Sequence, residues 1–530
     1  MSASNLNKNT RVIYLIVIVL GVTTNLAGIL LINYFPEIFD SLFFKKLALQ
    51  PGSKSYEFWS EPPQPLYLDV YLFNWTNPED FTNKSVNPRF DEIGPFRFQE
   101  FPSKVNVKFH NDNGTVSYRK SSKYIFVPEE SGGRMDDVIT SINVIALAAA
   151  ARGKNWGFVG KKAIAFGLRI YGNNVHVTKT AGEWLFDGFE DPMITLAKSN
   201  PFLTDIPTNF DKFGWFYKKN NTDFMLGDFN VDTGIKNINE IGNIRLWNHE
   251  SSTSFFNGKC AALSGSGGDF FNPNISKDDV LQLFSPEMCR SVPMDFEEEV
   301  EIHGIKTLKF SGGVRAVDNG TIFPENKCFC SGQCVPSGLF NVSSCRYGTP
   351  VFMSFPHFYH ADPYYLQQVD GLQPVKEKHQ FFMSFEPKTA IPLEVAARFQ
   401  INLFVEPISA IDLYRDVPKK FMPILWFEQH VKMSKSIANE IKIVLKMPRW
   451  GQLVGIAAAV IGFCIVLVIP LKIVIERLCF SHKRRKIRDF DVNGNALLDK
   501  NIEKINNDKN ENPETKKLIF KEALYQVGVK

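Results

Sequence analysis

The chain has 530 residues, 44% of them apolar and 22% charged, which supports a large buried core and excludes an intrinsically disordered chain. Its formal charge of +4 sits in one place, because residues 481–530 carry twelve Lys and Arg against eight Asp and Glu; the remainder sums to zero and lacks the basic face that a nucleic-acid binder needs. Phenylalanine is over-used, 47 against 15 Tyr and 8 Trp, and with no polar tip it predicts a very apolar interior or cavity.

In chain order, residues 12–32 come first, uncharged and mostly Ile, Val and Leu, with Thr23, Thr24 and Asn25 in the middle. At about 1.5 Å per residue they cross a hydrocarbon core of roughly 30 Å. The run is long for a secretory signal core, and Asn33-Tyr34-Phe35-Pro36 follows it instead of a small-residue cleavage site. An uncleaved transmembrane helix is expected, with residues 1–11 cytoplasmic.

Residues 36–452 contain no Gly/Ser or Pro-rich linker and no repeat, and read as one large extracellular or lumenal domain. Short strand-like segments at residues 65–73, 105–109, 116–118, 307–310 and 398–405 predict a mainly antiparallel sheet. Helices are expected between residues 136 and 199. One opens at Asp136 and Asp137, runs through Val138, Ile142, Ile145 and Ala149, and stops at Arg152-Gly153. A second covers residues 160–169, and a third lies around residues 183–186. Sequons for N-glycosylation occur at Asn74, Asn83, Asn113, Asn220, Asn274, Asn319 and Asn341, all in this stretch although the Asn-rich tail offers many chances. Six cysteines, Cys260, Cys289, Cys328, Cys330, Cys334 and Cys345, cluster in residues 260–345. In an oxidising compartment they are disulfides, with about fifteen pairings open.

A second apolar run begins at Leu453 and is broken only by Pro470, giving a span over residues 453–475. Basic residues before the first span and after the second place both termini in the cytoplasm and make the protein multi-pass. In the tail, residues 476–530, Cys479 beside basic residues is a candidate for palmitoylation, whereas Cys464 is read as packing. Glu514, Leu518 and Ile519 have the spacing of an acidic dileucine sorting signal, which needs an extended segment to reach an adaptor protein. Residues 499–516 are polar enough to supply one, and Leu497-Leu498 is a weaker candidate.

No catalytic constellation emerges, and no cofactor or metal is expected. Gly265-Ser266-Gly267-Gly268 has neither a nucleophile elbow nor a phosphate loop and reads as a flexible turn. His357, His360 and Asp362 have poor ligand spacing, Cys328 to Cys334 reads as disulfide and not zinc, and the calcium-like start at Asp489 meets Lys500 where a Glu is required. The one polar feature that suggests a ligand is the helix with Lys161, Lys162, Phe166 and Arg169, whose last three share a face suited to an acidic head and an apolar body.

Several motifs carry a resemblance. Cys328-Phe-Cys330, Cys334-Val-Pro-Ser-Gly, Ser354-Phe-Pro-His-Phe-Tyr, Ala361-Asp-Pro-Tyr-Tyr, Leu283-Phe-Ser-Pro-Glu-Met-Cys-Arg290, Phe213-Gly-Trp-Phe-Tyr217 and Ala397-Arg-Phe-Gln-Ile-Asn402 are similar to the class B scavenger receptor family over residues 12–478. Within that family it resembles the croquemort-like insect branch, with sensory neuron membrane proteins and the lysosomal integral membrane protein as cousins. The resemblance implies a membrane-anchored α+β fold: two transmembrane helices flank an ectodomain with an antiparallel β-barrel core, a helical apex over residues 136–199 and an apolar tunnel. It implies lipids and lipoproteins as partners, fatty acids, oxidised lipids and apoptotic cells among them, at the cell membrane or, alternatively, with protein cargo or lipid in lysosomal or endosomal membranes; a sensory lipid co-receptor is a further alternative. It also implies pairing of Cys260 with Cys328, Cys289 with Cys345 and Cys330 with Cys334. The apical lysine of mammalian members has no clear match; Lys161, Lys162 or Lys179 stands in for it.

Overall fold

The computed structural model describes residues 8–62, 64–154, 156–171, 174–199, 211–330, 334–507 and 514. The chain divides into two compact units, Met1–Ser41 with Leu445–Lys530, and Leu42–Val444.

The first unit is a helix pair. Helix α1 (Lys8–Leu47) continues through Pro36, and the C-terminal helix (Lys435–Asn507) continues through Pro448 and Pro470; both are long and apolar enough to cross a membrane. Small residues let the backbones touch: a Cβ on Gly28 would stand 2.4 Å from the Ala459 nitrogen, and one on Gly462 2.4 Å from the Asn25 nitrogen. Asn25, the polar interruption of the first run, donates its Nδ2 to the Ala459 carbonyl at 2.8 Å, and Thr23 and Thr24 bond back to Leu20. The C-terminal helix runs to Asn507, so residues 499–507, expected to be extended, are helical. Leu498, Ile502 and Ile505 recur at helical spacing there, a signal masked by the polar composition.

In the second unit the strands are β1 (Leu66–Trp75), β2 (Phe90–His110), β3 (Thr115–Phe126), β4 (Val138–Ile142), β5 (His176–Thr180), β6 (Asp228–Asp232), β7 (Ile244–Trp247), β8 (Val280–Ser285), β9 (Arg290–Ile302), β10 (Ile305–Ser311), β11 (Phe340–Asn341), β12 (Val351–Ser354), β13 (Phe382–Phe385), β14 (Pro392–Val405) and β15 (Lys420–Lys432). Thirteen form one sheet in the order β7-β6-β3-β2-β1-β15-β14-β13-β10-β9-β8, with β12 on β14 and β11 on β12. The expected strands are real and mostly longer than their apolar runs, because cross-strand pairing carries the ladder past the alternating residues.

The sheet's two edges are bridged by Gly265-Ser266-Gly267. Ile244 N bonds to the Gly265 carbonyl and Gly267 N to the Gly242 carbonyl on one side; Ser266 N bonds to the Gln282 carbonyl and Phe284 N to the Ser266 carbonyl on the other. The segment expected to be a flexible turn is therefore a strap that nearly closes the sheet into a barrel and leaves little open edge. Glycine is required at position 265, where φ is +76° and a Cβ would lie 2.2 Å from the Gln282 carbonyl oxygen.

Antiparallel pairing puts the start of β1, the end of β15 and the hairpins His110–Thr115 and Ile302–Ile305 at one end of the barrel. Beside them the short helix α2 (Lys54–Ser60) packs Trp59 on Tyr118, ring centroids 4.8 Å apart. At the other end the chain leaves β3 for residues 127–227, which hold α3 (Val144–Gly153), α4 (Phe158–Ile170), a wide turn at Glu183–Asp187 and α5 (Pro192–Ser199). The helix expected from Asp136 is corrected here. Residues 138–142 are β4, paired with β5, and α3 begins only after Asn143, whose side chain accepts from Ala146 N. The β-branched run Val138-Ile139-Thr140 prefers the strand, and Asn143 is a better cap than Asp136.

Candidate functional site

The site is built on α4, whose two sides are used differently. Ile164 and Leu168 are buried, and Gly167 brings the backbone within reach of Met193 and Leu196 of α5. On the outer side Phe158, Lys162, Phe166 and Ile170 follow one another at i, i+4 spacing, with Val159 and Arg169 beside them. Phe158 is 76% exposed and Phe166 65%, and Val159 and Ile170 are also well exposed. Lys162 and Arg169 are exposed and Lys161 is half-buried; among the described residues none of the three has a carboxylate within ion-pair reach. Lys162 Nζ lies 5.8 Å from the Phe158 ring centroid. Lys179 is already engaged, 3.7 Å from Glu183 and 5.0 Å over the Phe189 ring.

Several charges in the barrel are matched. Arg97 forks onto Asp69 with Nε at 2.7 Å and Nη2 at 2.5 Å, and its Nη1 reaches Glu130. Arg398 meets Glu428 at 2.9 Å. Burial raises the Asp269 carboxyl, but the charges of Lys104 and Lys120 and hydrogen bonds from Lys104 and Tyr118 outweigh it and leave the group well below the usual carboxylate range. His357 is not a free ligand: its Nδ1 accepts from Gln373 N, which leaves Nε2–H to donate to Glu92 at 2.5 Å, where Trp426 Nε1–H also donates at 2.7 Å. His379 stacks on His357 at 4.2 Å, and burial followed by the His357 imidazole pushes it down to about 3. Asp362 accepts from Tyr364 N at the start of a short helical turn, and His360 lies against Tyr359.

The structure joins Cys260 to Cys328, Cys289 to Cys345 and Cys330 to Cys334. A profile of the CD36 family matches residues 18–473. The chain belongs to the CD36 family. It is 39% identical over 441 residues to protein peste of Drosophila melanogaster, covering 83% of this chain and 79% of that one. To scavenger receptor class B member 1 of Bos taurus it is 33% identical over 457 residues, 85% of this chain and 87% of the relative. To human lysosome membrane protein 2 it is 31% identical over 423 residues, 79% of this chain and 85% of the relative. With its two terminal apolar helices and its barrel, this family member is a two-pass membrane protein of the scavenger-receptor class.

The sequons of this family member differ in setting. Asn83, Asn113 and Asn274 are exposed. Asn220 donates its Nδ2 to the Tyr124 carbonyl and Asn319 to the Val335 carbonyl, while Asn74 and Asn341 lie half-buried on β1 and β11. Cys464 and Cys479 are exposed on the C-terminal helix, which also contains Leu497 and Leu498 and the stretch from Asp489 to Lys500; Glu514 is exposed, whereas Leu518 and Ile519 lie outside the described residues. A cleft of about 350 Å³ is bounded by Tyr67, Asp69, Arg97, His430 and Lys432. The sequence reading missed Phe158, Val159 and Ile170, although the four-residue spacing from Phe158 to Ile170 was there to be seen.

Proposed function

We propose that this chain captures lipidic ligands with acidic heads on the outer face of α4, fatty acids, oxidised lipids and lipoproteins among them, and takes them up or passes their acyl chains along an apolar passage in the ectodomain. The observation that carries this reading is the set of four large apolar side chains, Phe158, Val159, Phe166 and Ile170, left in solvent beside the uncompensated charges of Lys162 and Arg169. A helix that already buries Ile164 and Leu168 gains nothing structural from such a face, whereas covering one Phe contributes about 1.5–3 kcal/mol to a complex. A series of fatty acids titrated into the purified full chain tests it: affinity rises by about 0.8 kcal/mol per CH₂ until the passage is filled. Equal binding of short and long chains would sink the passage. In this reading both termini are cytoplasmic and residues 36–452 lie outside or in a lumen, so Asn83, Asn113 and Asn274 carry glycans and tags at either end resist external protease.

The second reading, a receptor for protein cargo in lysosomes, draws on the likeness to lysosome membrane protein 2 and on Glu514, Leu518 and Ile519. Replacing Leu518 and Ile519 by Ala moves the protein to the cell surface if an adaptor reads that signal, and palmitate on Cys479 is released by hydroxylamine. Unchanged distribution returns the assignment to surface uptake.

A further inference from the structure

His357 and His379 lie face to face, 6% and 4% exposed, with ring centroids 4.2 Å apart and planes 5° from parallel. A backbone amide holds each through Nδ1: Gln373 N donates to His357 and Val375 N to His379, both at 2.9 Å. The two amides belong to one five-residue segment, 371–375. Before it Asp370 is fixed by backbone bonds with Pro88 and Phe90, and after it a single helical turn runs over Lys376–His379. Within the segment Leu372 alone is buried, and Pro374 has no N–H. Among the described residues the two imidazoles are the only groups that accept from its amides.

A ring nitrogen that accepts an N–H has its lone pair occupied, so Nε2 carries the proton in both histidines; that of His357 goes to Glu92. A second proton can only go to Nδ1, where it turns an acceptor into a donor that faces another donor. Glu92 favours a charge on the pair. Against it stand Arg398, itself paired with Glu428, and Lys378, and each imidazole opposes a charge on the other. Lys376 is taken by Glu297, and burial keeps the Tyr71 phenol, stacked on Trp426, neutral. Burial first and the His357 ring next push His379 down to about 3.

We propose that residues 371–375 form a flap that acid releases: at neutral pH the two Nδ1 atoms hold it to the barrel, and protonation of either ring detaches it and uncovers the histidine pair. In the released form each imidazole meets water and titrates near 6.5. Opening therefore binds protons that the closed form refuses, and it is favoured as the pH falls below that value. A receptor carried from a neutral to an acidic compartment changes shape at this place without help from a ligand, and the device does not depend on the lipid reading of α4.

Hydrogen–deuterium exchange of the full chain in detergent, read by mass spectrometry and corrected for the intrinsic effect of pH on amide exchange, measures the opening. Between pH 7 and 5 exchange in residues 371–375 rises by at least about 25-fold, the factor by which one imidazole of ordinary pKa shifts the equilibrium over that range, while β13 and β14 are unchanged. His379→Asn, whose Oδ1 can accept from Val375 N but takes no proton, lowers the rise by about the same factor. Equal protection of the segment at the two pH values overturns the proposal on the unaltered chain alone, whether or not the variant folds. So does a rise that β13 and β14 share, or one that His379→Asn leaves intact.

Discussion

The barrel and α4 treat charge and aromatic surface in opposite ways. In the barrel Arg97, Arg398, Lys104 and His357 each meet a carboxylate, and Phe73, Phe96 and Phe310 are wholly buried. On α4 Lys162 and Arg169 meet none, and Phe158 and Phe166 stand in solvent. These charges in the first region are used up by the fold, whereas those in the second remain available to something else. Substitutions should therefore separate the two regions, one losing stability and the other losing binding.

The strongest test of the barrel is its strap. Gly265→Val puts a β-branched residue at positive φ against the Gln282 carbonyl, and a loss of about 3 kcal/mol or more is expected, read as retention of immature glycoprotein in the endoplasmic reticulum. Glu92→Leu strands the buried donors of His357 and Trp426 and lowers stability by about 2–4 kcal/mol in chemical denaturation. Acidification acts on His379. Its pKa of about 3 in the folded state lies below the ordinary value near 6.5, so between those values the unfolded chain binds the extra proton and stability falls as pH falls. From pH 7 to 5 this group costs about 2 kcal/mol, and His379→Phe flattens the slope of unfolding free energy against pH over that range. The smallest stability effect belongs to α4. Lys161→Glu with Lys162→Glu, or Phe158→Ser with Phe166→Ser, changes unfolding by about 0.5 kcal/mol or less while anionic lipid binding drops. A large loss of stability in those variants would erase the contrast between the regions.

The sequence made this division partly readable. Residues 160–169 showed a basic face because helical spacing is local, and residues 398–405 showed a strand because alternation is local. The two spans were legible from length and charge alone. The strap was not, since Ser266 takes its meaning from Asn243 and Leu283, which only the closed sheet brings beside it. The partner of His357 was equally hidden: Glu92 lies 265 residues away. The misreading at Asp136 has a different source, because β4 and α3 are adjacent apolar segments whose residues at positions 138, 142, 145 and 149 fit one helical stripe across the boundary.

The pairing of β1 with β15 sets the order in which this protein can be completed. Tyr67 lies opposite His430, which is synthesised 363 residues later. At 5–20 residues per second the ribosome needs roughly 20–70 s to cover that distance. Throughout that time β1 has β2 on one side and nothing from its own chain on the other. A nascent chain with one long strand edge open is a substrate for chaperones and a hazard to its neighbours on the polysome. Truncations that remove β15 should therefore be held by lumenal chaperones far longer than truncations that end just after Lys432.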